Sequence, residues 1–94
     1  MSETVKVIKL ISGEELIARV IEETNSSITI KNIRTVQAIP TSVQGAVGMA
    51  LVPYMVMVND NDPIPINKSN TLVVTLPKAD IEKNYLSQVT GITL

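Results

Sequence analysis

Apolar residues alternate with polar ones over short stretches of the chain, and the stretches are separated by turn-forming residues. The first third predicts three strands, at residues 5–11, 15–22 and 28–33, each rich in β-branched side chains. Between the first two lies Ser12-Gly13-Glu14, where glycine can take a positive φ. Between the next two lies Thr24-Asn25-Ser26-Ser27, whose side chains hydrogen-bond their own backbone in tight turns. In the third strand Ile28 and Ile30 share one face and Thr29 and Lys31 the other. The first strand slips, because Val5 and Val7 share a face while Ile8 and Leu10 share the opposite one. Such a slip calls for a bulge or for burial on both faces, and both accompany strongly bent sheets.

From Thr35 to Asn59 the chain carries no charge. Pro40, Pro53, Gln37, Gln44 and Thr41-Ser42 interrupt the segment, so no apolar run is long enough to span a bilayer. It reads as a loop over 37–45 followed by a strand over 49–58, interrupted at Pro53, which lacks an N–H. The second half, Tyr54-Met55-Val56-Met57-Val58, is apolar on both faces and is expected to pair with another chain. Asn59-Asp60-Asn61-Asp62-Pro63 marks a turn or exposed loop that runs on to Asn70. A last strand over 71–76 puts Leu72, Val74 and Leu76 on one side and Thr71, Val73 and Thr75 on the other, and Pro77 stops it. Ile81, Tyr85, Leu86 and Val89 then fall at helical spacing over 79–89, with Asp80 and Glu82 in the first turn and Gly91 as the stop. The expectation is a mainly β single domain over 1–94: a five-stranded, strongly bent antiparallel sheet forming a small open barrel, with a short C-terminal helix.

Composition narrows the chemistry. The 94 residues contain no His and no Cys. That removes disulfides, Cys-based zinc and redox motifs, and nucleophilic catalysis of the Ser-His or Cys-His kind, so no catalytic residue, metal ligand or cofactor is assigned. Eight Lys+Arg against nine Asp+Glu leave a net charge of −1, so a nucleic-acid site would have to be a local patch. A core this small commonly gains stability by oligomerisation. The first residues hold no basic stretch followed by an apolar run, so a cytoplasmic location is expected.

Residues 5–20, VKVIKLISGEELIARV, resemble the first Sm motif of the Sm/Lsm (Hfq-like) proteins, with Gly13 where that motif has its turn glycine. SITIKNI looks like the strand that closes the motif, and INKSNTLVVTLP has the length and rhythm of the family's Ile-Arg-Gly segment and last strand. The match spans most of the chain and is similar to that of divergent phage or environmental Sm-like proteins; for a phage protein the location would be the host cytoplasm. The resemblance implies a homo-oligomeric ring in which the second half of strand four pairs with strand five of a neighbour, placing Tyr54, Met55, Val56, Met57, Val58, Leu72 and Val74 at the subunit interface. It also implies RNA or single-stranded DNA held by the loop between strands two and three and by the segment before the last strand. Here the first loop has Asn25 and, in place of the family's Asn, Ser27, with no aromatic; the second has Asn67 and Lys68 in place of Arg-Gly. An amide and a positive charge remain, but base stacking, worth about 1–3 kcal/mol per base, is missing. The helix also stands at the chain's end, where the family commonly begins with one.

Other constellations read as ordinary structure. Asp60-Asn61-Asp62 starts like a calcium loop, but Pro65 and Thr71 occupy the positions that need Gly and Glu. Glu14-Glu15 and Glu22-Glu23 are adjacent pairs that point to opposite faces. Met49, Met55 and Met57 suit a core or a subunit interface. The basic residues are scattered singly, yet ring symmetry would copy Arg34 and Lys68 into a positive annulus. Five residues therefore form the expected nucleic-acid site: Asn25, Ser27, Arg34, Asn67 and Lys68. The alternative is a structural or protein-interaction ring that has lost the nucleotide pocket.

Overall fold

The computed structural model describes residues 4–40 and 47–90. Strands β1 (Thr4–Leu10) and β2 (Glu15–Glu23) pair antiparallel across a tight turn in which Gly13 N–H donates to Leu10 O at 2.9 Å. Gly13 sits at φ 104°, a region that L side chains avoid, and no atom lies within 4 Å of where its Cβ would be. Gly13→Ala should therefore cost backbone strain alone, about 1–2 kcal/mol. The urea midpoint should fall with an unchanged m value.

β3 (Ser27–Pro40) continues the meander, and it is twice as long as the sequence suggests. Its first half pairs with β5 (Ile64–Asn67) and its second half with β4 (Val47–Pro53), so two short strands share one edge. β6 (Thr71–Thr75) returns beside β1, giving the order β4-β3-β2-β1-β6 with β5 also on β3; the sheet is antiparallel throughout and is not closed. A single 3-10 turn (Lys68–Asn70) joins β5 to β6, and helix α1 (Ala79–Thr90) ends the described chain.

The mainly β fold with one C-terminal helix agrees with the sequence reading, but four details differ. Residues 37–40 belong to β3, not to a loop; 41–46 and Gly91 lie outside the described residues. β4 ends at Pro53, where the missing N–H was expected to interrupt a longer strand, and residues 54–58 are not in the sheet. Residues 64–67 form a sixth strand, because Ile64 and Ile66 pack onto the core from the β3 edge. Leu72 in β6 and Leu76 just beyond it are exposed while Val74 packs inward.

The slip in β1 resolves as burial on both faces. Ile8 and Leu10 join Leu16, Ala18, Val20, Ile28, Ile30 and Ile33 in one cluster. Val5 and Val7 pack instead with Ile17, Leu51, Tyr85, Leu86 and Val89, the layer made by α1. Gln88 Nε2 donates to Leu51 O at 2.9 Å and ties the helix to β4.

Candidate nucleic-acid interface

The ladder between β3 and β5 sets Ser27 opposite Asn67. Just beyond it, Lys68 N–H donates to Ser26 O at 2.9 Å. The two loops that the sequence singled out are thus hydrogen-bonded neighbours. Thr24 shapes the first: its Oγ1 accepts from Ser27 N at 3.0 Å and from Ser26 N at 3.3 Å, which leaves Asn25 exposed at the tip. In the second, Asn67 Oδ1 accepts from Ser69 N at 3.1 Å and caps the 3-10 turn, and Thr71 Oγ1 donates to Lys68 O at 2.8 Å.

Charge at this corner is partly self-neutralised. Glu23, at the end of β2, takes Lys68 Nζ at 2.8 Å on one carboxylate oxygen and Lys6 Nζ at 3.1 Å on the other. The two ammonium groups, Lys68 foremost, hold its carboxyl below the usual glutamate range. The patch therefore offers two lysines, one acid between them, and the small polar groups of Asn25, Ser27 and Asn67.

Arg34, the fifth residue expected in the nucleic-acid site, lies apart from this patch. It lies seven residues along β3 from Ser27, is buried, and donates from Nη1 to Asp60 Oδ1 at 2.6 Å and from Nη2 to Asp60 Oδ2 at 3.0 Å. Its Nη1 also donates to Ile33 O at 3.1 Å. Asp60 belongs with Asn32, which stands at φ 53° in the middle of β3 and breaks its ladder. Asn32 N donates to Asp60 O at 2.8 Å, and Asn32 Nδ2 lies 2.9 Å from Asp60 Oδ2 and 3.0 Å from Asn61 Oδ1. Tyr85 Oη donates to Asn32 O at 2.6 Å from the other side. Residues 54–63 thus leave the sheet edge opposite a kink in β3 and are pinned to it. Sequence reading missed this assembly. Its one signal is Asn32 itself, a residue poor in strands but tolerant of left-handed backbone.

The expected interface residues divide in the same way. Tyr54 packs half-buried on the main core, and its backbone N–H donates to Ile33 O at 3.2 Å. Val74 also packs inward. Exposed apolar surface remains at Leu72, 64% exposed, and at Val73 on β6, and at Val56 and Met57, 81% and 94% exposed, beyond β4. Met55 and Val58 are about half as exposed as Val56 and Met57. Exposed apolar side chains thus lie on the β6 edge and on the excursion that leaves the sheet after β4. Among the described residues no helix is long and apolar enough to cross a membrane. No family model and no curated protein matches the chain.

Proposed function

We propose that the chain assembles through its two free sheet edges into a homo-oligomeric, Sm-like ring, and that each subunit offers single-stranded RNA or DNA one weak site made by Asn25, Ser27, Asn67 and Lys68. The observation that carries the site is the joining of residues 24–27 to residues 67–68 across the start of β3 and β5. No chemical step is involved. Asn67, whose Oδ1 is used in the cap, presents its amide NH2 to a base or phosphate oxygen. Lys68 supplies the charge, and repetition around a ring raises the total affinity that one site without a stacking aromatic cannot reach. The ring is supported by Leu72 and Val73 on β6, since unpaired edges with exposed apolar residues are surfaces that chains cover. The working location is the cytoplasm.

Glu23 supports a second reading. An acid that neutralises Lys6 and Lys68 suits a ring that serves as a scaffold and does not bind nucleic acid. The two readings separate by titrating labelled oligouridylate and oligothymidylate against the protein between about 50 and 200 mM salt. On the nucleic-acid reading, Lys68→Ala weakens binding several-fold and flattens the salt dependence, while Glu23→Gln tightens binding because both lysines are released. Surface pairs of this kind contribute about 0–1 kcal/mol to folding, so both variants stay folded. A ring that ignores the oligonucleotides in all three forms supports the scaffold, and a monomer by native mass spectrometry overturns both.

A further inference from the structure

The loop between β2 and β3 holds Asn25 exposed at its tip, and the side-chain amide makes no hydrogen bond with a described residue. Ser26 follows it. Of the seven asparagines, Asn25 is the one followed by a small, unbranched, uncharged residue; the others precede Ile33, Asp60, Asp62, Lys68, Thr71 and Tyr85. The backbone N–H of Ser26 donates to Thr24 Oγ1 at 3.3 Å, longer than an ordinary N–H···O bond. Several other asparagines are committed to the fold. Asn32 is buried with its amide nitrogen 2.9 Å from Asp60 Oδ2, and Asn61 Oδ1 accepts from that same nitrogen. Asn67 Oδ1 caps the 3-10 turn, and Asn84 lies inside α1. The free amide of Asn25 therefore stands in the loop that Ser26 O ties to Lys68.

We propose that Asn25 is a site of spontaneous deamidation, and that the carboxylate it becomes lowers the affinity of the nucleic-acid patch as the protein ages. Solvent takes the proton from Ser26 N, and the nitrogen attacks Asn25 Cγ. The N–Cγ bond forms, the Cγ–Nδ2 bond breaks, and Nδ2 leaves as ammonia after taking a proton from solvent. Water then opens the cyclic imide at either carbonyl, giving aspartate or its β-linked isomer, with no electron gained or lost. The step needs an exposed loop whose backbone can bend and a following residue that lets its nitrogen reach Cγ. A β-branched neighbour such as Ile33 or Thr71 crowds that approach; Ser26 does not. The consequence rests on the nucleic-acid reading above. Lys6, Lys68 and Glu23 together carry one positive charge, and a carboxylate at residue 25 cancels it and competes with phosphate for Lys68. The β-linked product also lengthens the main chain inside the turn that Thr24 Oγ1 closes.

The test keeps the full-length protein for several weeks at mildly alkaline pH. Samples are taken for intact mass and for peptide maps that separate aspartate from its β-linked isomer, and each is titrated with labelled oligouridylate. Conversion that begins at Asn25, ahead of every other asparagine, with an affinity that falls several-fold in step, supports the proposal; the fall should be largest at low salt. Ser26→Val crowds the attacking nitrogen and keeps the backbone groups that bond to Thr24 and Lys68. It should slow the conversion several-fold and hold the affinity steady through the same incubation. Asn25→Asp should bind several-fold more weakly than fresh wild type from the start. Conversion first at another asparagine, or an amide at residue 25 that outlasts the incubation, overturns the proposal. Conversion at Asn25 with unchanged affinity, in a protein that binds oligouridylate, overturns the loss of affinity and leaves the nucleic-acid reading standing. Fresh protein that ignores the oligonucleotide overturns that reading and the loss of affinity with it, while the peptide map still decides the modification.

Discussion

Tyr85→Ala is expected to destabilise the domain by about 3–5 kcal/mol, enough to release α1 from the sheet. Tyr85 is the helix's one fully buried side chain, at 0% exposure. It fills the layer between α1 and the sheet with Val5, Ile17 and Leu51, and its hydroxyl supplies the hydrogen bond to Asn32 O at the kink in β3. Truncation to alanine leaves a cavity and an unsatisfied carbonyl together. A domain of this size holds only about 5–15 kcal/mol in total, so the loss is a large share of it. Tyr85→Phe separates the terms: it keeps the ring, orphans the carbonyl, and should cost about 1–3 kcal/mol. Urea unfolding followed by far-ultraviolet circular dichroism reads both, and an alanine variant no less stable than the phenylalanine one would mean that the ring does not hold the helix. The alkaline limb adds a second reading. Burial pushes the Tyr85 phenol up to about 12 from its ordinary 10.0. The folded state therefore keeps a proton that the unfolded chain loses. The contribution is full below pH about 10 and lost as the pH rises toward about 12, so Tyr85→Phe should flatten that limb.

The strands that the sequence made plain are those whose partners lie close in the chain. Gly13 and Thr24 close the two turns of the first meander, and each does so with its own backbone and side-chain chemistry, so residues 4–30 follow from local rules. Tyr85, Leu86 and Val89 were legible for the same reason, since one helix turn sets their spacing. The edge made of β4 and β5 was not. Whether Met55–Val58 or Ile64–Asn67 occupies it depends on Asn32, more than twenty residues earlier, and on Asp60 reaching back to Arg34. An apolar run such as Met55–Val58 fits a strand and an exposed excursion equally well, and periodicity cannot tell them apart. Arg34 shows the same limit for the site. A lone arginine in a strand reads as surface charge, and only the fold reveals that a carboxylate already holds it.

Asn25, Ser27, Asn67 and Lys68 were grouped by what the resemblance to the Sm motifs implies, and the structure sets their two loops side by side. Glu23 was not. Its position between Lys6 and Lys68 depends on β1, β2 and the 3-10 turn meeting at one corner.

Asp60→Ala is the second large effect, at about 2 kcal/mol. Removing one partner of a buried ion pair typically costs about 3–5 kcal/mol because the remaining charge is stranded. Here Arg34 is the stranded one, its side chain 10% exposed, whereas the Asp60 carboxylate is 45% exposed and already shared with water, which lowers the figure. Asn32 loses the Asp60 carboxylate as well, so the pin that holds residues 54–63 against β3 loosens. Arg34→Met makes the contrast. It removes the buried charge while keeping much of the stem's packing, and should cost less than Asp60→Ala; in the double variant most of the Asp60→Ala penalty disappears. The sign of the pH dependence follows from the same contacts. Arg34, and after it Asn32, holds the Asp60 carboxyl below its ordinary 3.8. The unfolded chain therefore takes up a proton first as the pH falls. The stabilisation is present above pH about 4 and is lost as the pH drops through the lowered value. Urea midpoints measured from pH 7 down to 3 should fall for the wild type, and fall less for Asp60→Ala. An Arg34→Met variant weaker than Asp60→Ala would mean that the guanidinium stabilises this loop by more than its pairing with Asp60.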